Sequence, residues 1–179
     1  MSDDGLELLS RAASLREAFD RSFSEPLRTG AVVAEEMLGI RLGAEAYALP
    51  LSDIAGLFAD RKVVPLPGAG TVQLGIVGFR SEIVPVYDLQ VLLGHPSTGS
   101  ARWLVLAAAA PVAFAFAAQE GRLSIPPEAI VDQSDGLPGG HVRHLVHMSG
   151  SVRRVIDLSS VLKAIRREVS ATLNLRGVE

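Results

Sequence analysis

His141, His144 and His147 recur at a spacing of three in the 179-residue chain, and imidazoles at short regular intervals are the first place to look for a metal. Their surroundings argue against one. The segment reads as a strand, on which residues 144 and 147 point to opposite faces, and no cysteine or paired carboxylate stands beside them to complete a ligand set. No metal and no cofactor is expected. Asp88 and Asp157 occupy corresponding places in two similar segments, which sets an acid–base pair against a second reading. In that reading each carboxylate accepts hydrogen bonds from the free backbone N–H groups of a helical turn that follows it. Equivalent positions in separate segments need not approach each other, so capping is the favoured role. Pro67-Gly-Ala-Gly70 lacks the Lys and Ser/Thr of a phosphate loop and reads as a turn, and no serine stands in a nucleophile-elbow context. The chain is expected not to be an enzyme.

What remains is the chemistry of contact. Arg80 sits at a hairpin tip among apolar residues, where its planar guanidinium can reach a partner carboxylate or carbonyl while its stem packs on Phe79 or Ile83. The other reading is an ordinary solvated arginine. Ile76, Val77, Ile83 and Val86 offer an apolar patch of the kind docking proteins leave on strand faces, although alternation lets only about half of them face outward.

The elements that must position these residues are legible in an internal repeat. Ile76 to Leu93 aligns without a gap on Leu145 to Leu162, an offset of 69 positions. Ile76 then meets Leu145, Val77 meets Val146, Phe79 meets Met148, Ile83 meets Val152, Val86 meets Val155 and Leu89 meets Leu158. Each copy is a strand, a tight tip (Arg80 to Glu82, or Ser149 to Ser151), a return strand and an Asp. A hairpin precedes each copy, Met37 to Pro50 with its break at Gly43, and Trp103 to Ala118. Val63 to Pro67, with two prolines, reads as an extended edge or loop. The sequence therefore predicts a mainly β fold of two linked, closed sheets, because closure removes edges that short strands leave open to aggregation.

Two helices flank these sheets. Leu8, Ala12, Leu15, Phe19 and Phe23 form an amphipathic stripe ended by Pro26. This helix either docks on its own domain or is held for a partner protein. Leu158, Val161, Leu162, Ile165, Val169 and Leu173 form a second stripe, read as a C-terminal helix packing back on the sheets. The division is residues 1–30 for the N-terminal helix and linker, 31–98 for the first barrel, 99–157 for the second, and 158–179 for the C-terminal helix.

Composition narrows the partners. With 48% hydrophobic residues the chain can bury a sizeable core, and with 17 basic against 20 acidic residues it has no cationic stripe for nucleic acid. The absence of cysteine fits a reducing compartment, and the acidic start is unlike a secretory signal. The most apolar stretch, Trp103 to Ala118, is interrupted by Pro111 and is shorter than the roughly 20 residues a membrane-spanning helix needs. A cytoplasmic protein without direct membrane insertion is expected.

Gly43-Ala-Glu45-Ala-Tyr47-Ala-Leu49-Pro50-Leu51, then Ile54, Pro65 and Pro67, then Gly75-Ile-Val-Gly-Phe-Arg80, then Ile83-Val-Pro85-Val-Tyr-Asp88-Leu89 come in an order and spacing that resembles the CheW-like domain, over Met37 to Leu162, with an echo in Val155-Ile-Asp157-Leu158. The resemblance implies two SH3-like five-stranded barrels around a shared apolar seam and a scaffold without catalytic activity. It further implies one surface for the cytoplasmic tip of a methyl-accepting chemoreceptor and another for the regulatory domain of a CheA-type histidine kinase. By that likeness Ile54, Gly75, Phe79 and Arg80 face the receptor, and Ile76, Val77, Ile83 and Val86 are assigned to the kinase. An adaptor of a non-flagellar pathway with an altered kinase contact is the alternative, and a small-molecule-binding barrel a third. The family has glycine directly after the arginine, where Ser81 stands here, and a left-handed backbone is costlier for serine.

Overall fold

Alternation of period two, broken by turn residues, builds eleven strands among the described residues, which in this computed structural model are 33–67, 70–79, 81–97, 101–132, 140–148 and 150–176, with side chains described to 170. The predicted N-terminal helix, Arg80, Ser149 and Leu173's side chain lie outside them. In chain order the elements are β1 (Glu35–Leu42), β2 (Glu45–Pro50), β3 (Ile54–Ala59), β4 (Gln73–Phe79), β5 (Glu82–Asp88), the single helical turn α1 (Leu89–Leu92), β6 (Trp103–Ala107), β7 (Ala113–Phe116), β8 (Ala118–Ile125), β9 (Ile130–Asp132), β10 (Val142–Met148), β11 (Ser151–Ile156) and α2 (Leu158–Arg176). No helix among the described residues is long and apolar enough to cross a membrane.

The strands form one six-stranded sheet, in the order β8-β1-β2-β11-β10-β9, and one five-stranded sheet, β3-β6-β7-β5-β4. The sheets are not both five-stranded, and neither is confined to 31–98 or 99–157. Each repeat instead receives the other's hairpin: β7 lies parallel to β5, with Val86 opposite Ala113, and β2 lies parallel to β11, with Val155 opposite Ala48. The reason lies in burial. All four residues of β7, Ala113 to Phe116, are buried, as are Tyr47 to Pro50 of β2. A strand apolar on both faces belongs in the middle of a sheet, where a parallel neighbour reached by a crossover completes it. The exchange ties residues 34–179 into one compact unit.

The main core cluster records the same tie. Tyr47 and Leu49 of the six-stranded sheet pack with Phe114 and Phe116 of the five-stranded one, and Leu158, Val161, Leu162 and Ile165 of α2 close over them. Residues 166–170 of the helix are exposed, and Val169, read from the sequence as part of the docked stripe, is 44% exposed. The five-stranded sheet is curled. Phe58 and Phe79 come from its two edge strands, yet their ring centroids are 4.5 Å apart, with the Arg61 guanidinium above both.

Both aspartates cap helices. Asp88 Oδ1 accepts from the backbone N–H of Gln90 at 2.9 Å and of Val91 at 3.3 Å, and Asp157 Oδ1 accepts from Ser160 N at 3.2 Å. The tip between β4 and β5 keeps a left-handed residue despite lacking glycine. Ser81 has φ +81°, and Gly150, its counterpart in the second copy, has φ +83°. A left-handed L-residue costs roughly 1–2 kcal/mol, partly offset because glycine loses more chain entropy on folding. Ser81→Gly is therefore expected to stabilise the chain by about 0.5–1 kcal/mol, read as a rise in the urea midpoint at unchanged slope.

A polar triad braces the six-stranded sheet across its curl. Glu120 on β8 accepts from Arg41 Nη2 on β1 at 2.7 Å and from Arg153 on β11, two strands further on. The Arg153 side chain is only 15% exposed. Arg153 first, then Arg41, holds the Glu120 carboxyl below its ordinary 4.5. A depressed folded-state value gives stability that is complete above 4.5 and lost as the pH falls through the lower folded value. Glu120→Gln is expected to cost about 1–2 kcal/mol at neutral pH. In urea titrations across pH, that gap from the parent chain should narrow only on the acid side.

Candidate protein-docking site

The turn joining β6 to β7 is built from alanines. Ala108 N donates to Asp53 O at 2.9 Å and Ala107 N to Val112 O at 2.9 Å, which holds the turn upright beside the β4–β5 tip. Between turn and tip runs an open groove of about 390 Å³, lined by Phe79, Glu82, Val84, Leu106, the alanines at 107–110 and Pro111. Side chains no larger than a methyl group let another backbone approach closely, and the floor is apolar, with the single carboxylate Glu82 at the rim. A reacting site needs convergent polar groups in named roles, which this lining does not supply. An amphipathic helix laid into an apolar groove needs only the surface found here.

Of the residues assigned to a receptor, one lines this groove and a second adjoins it. Phe79, 8% exposed, is one wall. Ile54 opens β3 as the register partner of Ala107 on the floor. Gly75 stands near the other end of β4, pressed against the backbone of Val64. The position that its absent side chain leaves open is filled by the chain itself.

The four residues assigned to a kinase are divided by the pleat. Val77 and Val86, 5% and 0% exposed, pack with Phe79, Val84 and Leu104 in the core. Presenting them to a partner would open the sheet. Ile83 is 73% exposed opposite the bare Gly78, and Ile76 is half-buried opposite Pro85 on the same outer face. Val152, the repeat counterpart of Ile83, is likewise half exposed.

Two of the histidines go separate ways: His141 Nδ1 lies 2.9 Å from Ser160 Oγ on the following helix, and His144 stands opposite Asp132 in the β9–β10 register. Sequence reasoning missed the alanine floor, reading Trp103 to Ala118 only as two buried strands and a turn. The signal was four small residues ahead of Pro111.

The CheW-like domain family matches the chain over residues 36–166. The crystal structure of the scaffolding protein TtCheW from Thermoanaerobacter tengcongensis is similar in fold, with a TM-score of 0.63 at 17% identity, covering 69% of this chain and 88% of that one. No curated protein matches.

Proposed function

Since the chain belongs to the CheW-like domain family, we propose that it is a non-enzymatic scaffold coupling the cytoplasmic tip of a chemoreceptor to the regulatory domain of a CheA-type histidine kinase. The observation that carries this reading is the alanine-floored groove beside the β4–β5 tip, a surface suited to a helix and without catalytic groups. The receptor tip lies in the groove, against Phe79 and the floor that Ile54 flanks, and Arg80 keeps the receptor role that the family resemblance implies. The kinase domain takes the outer face of the same hairpin, where Ile83, Gly78, Ile76 and Pro85 make a shallow apolar surface. Gly75, Val77 and Val86 act behind these surfaces by holding the hairpin in shape. The protein works in the cytoplasm and reaches the membrane through the receptor.

Co-precipitation with the purified kinase regulatory domain and with a receptor tip tests the reading. Capture of both supports it, and capture of neither overturns it. Arg80→Glu is expected to leave the melting temperature unchanged and to weaken the receptor complex by about 1–3 kcal/mol, as a charge reversal at an interface hot spot does. An unchanged dissociation constant in a calorimetric titration would remove Arg80 from the contact.

A further inference from the structure

A second depression, of about 280 Å³, opens at the other end of the five-stranded sheet, where β5 runs into its cap. Its wall is apolar, made by Val63, Leu74, Leu104, Ala115 and Phe116. Arg61 stands at its mouth, exposed, with its guanidinium 5.4 Å from the Phe58 ring centroid and 5.7 Å from that of Phe79. Stacking of this kind fixes where the cation points while leaving its N–H donors to solvent. Lys62 beside it is exposed as well. The one carboxylate in the lining, Asp88, keeps its charge but is held by neutral donors rather than by these cations: Oδ1 takes the N–H groups of Gln90 and Val91 and Oδ2 the hydroxyl of Ser97 at 2.9 Å.

We infer that this depression is a docking socket for an acidic peptide segment, which seats one apolar side chain in the cavity and places its flanking carboxylates on Arg61 and Lys62. The volume suits one large side chain and falls just short of the ~300 Å³ at which small-molecule pockets begin. Two adjacent cations match a run of carboxylates better than a lone chain terminus. The socket and the groove share no lining residue, although Arg61 at the socket's mouth stacks on the Phe79 ring that walls the groove.

The probe is a pentapeptide, Asp-Glu-Phe-Asp-Glu, blocked at both ends, titrated against the full chain and followed by amide shifts and by Trp103, the only tryptophan, whose register partner is the lining residue Phe116. Saturable binding is expected, with shifts at Val63, Leu74 and Phe116. Replacing the central phenylalanine by serine, or the acids by lysines, should weaken it at least tenfold. Arg61→Ala removes packing on two rings as well as charge, so the deciding variants sit at Ala101, an exposed lining residue. Ala101→Glu should weaken the peptide several-fold and Ala101→Arg should tighten it, both at unchanged melting temperature. Indifference to charge at position 101, shifts confined to the groove, or binding only by a peptide with a free C-terminal carboxylate would overturn the socket.

Discussion

Gly75→Ala is expected to destabilise the chain by about 3–5 kcal/mol, a large loss for the addition of one methyl group. Gly75 has φ +148°, a conformation L-residues rarely adopt, and a Cβ there would lie 2.1 Å from the carbonyl oxygen of Val64 and 2.9 Å from the Cα of Pro65. Val64 cannot step aside. It exchanges two backbone hydrogen bonds with Ile76, at 2.8 and 2.9 Å, and they hold the 63–67 segment along the edge of β4. The methyl group therefore meets backbone strain of roughly 1–3 kcal/mol and disrupts two hydrogen bonds worth about 0.5–1.5 kcal/mol each. For a unit of this size the melting temperature should fall by roughly 6–20 °C. Gly78→Ala, where an added Cβ meets nothing within 4 Å, should stay within about 0.5 kcal/mol of the parent. If thermal scans showed Gly75→Ala melting alongside Gly78→Ala, the close approach of the two segments would be wrong. The comparison also separates two meanings of Gly75. As a contact residue its substitution would weaken binding at full stability, whereas as a spacer it weakens binding only by unfolding.

What the sequence made legible were features with a local cause. The repeat is real in three dimensions: β4–β5–α1 and β10–β11–α2 are the same hairpin and capped helix, down to Asp88 and Asp157 on their helical N–H groups and a left-handed residue at 81 and 150. The turn at Gly43, with φ +60°, and the extended 63–67 edge followed from glycine and proline chemistry in the same way. The exchange of hairpins between repeats was not legible, because pattern within β2 or β7 says that the strand is buried and not which neighbour buries it. Strand β8 was missed although its burial alternates along Gln119, Gly121, Leu123 and Ile125, since its charged outer residues masked a half-buried edge. For the site, alternation divided the four apolar candidates, placing Ile76 and Ile83 outside and Val77 and Val86 inside. The sequence named these four as a group, and only the register of Ile83 on Gly78 shows which of them face outward.

That division makes the strongest functional prediction, a reciprocal loss. Ala109 is an exposed floor residue of the groove, and Ala109→Arg fills the space a receptor helix would occupy with a long cation. Ile83 is on the outer face, and Ile83→Asp puts a carboxylate where the kinase domain would bury an apolar side chain. Neither side chain supports the core, so both variants should melt within about 0.5 kcal/mol of the parent. Each blocks one desolvated contact, at a cost of about 2 kcal/mol or more at a hot spot, which is at least a tenfold change in dissociation constant. Ala109→Arg should lose the receptor tip and keep the kinase domain, and Ile83→Asp should do the reverse. The double variant should then lose both, with the two free energies adding, because opposite sides of a hairpin share no partner. Were each variant instead to weaken both partners equally, one contiguous surface would serve receptor and kinase. The two could not then occupy the chain together, and a scaffold that joins them in one complex would have no physical basis in this fold.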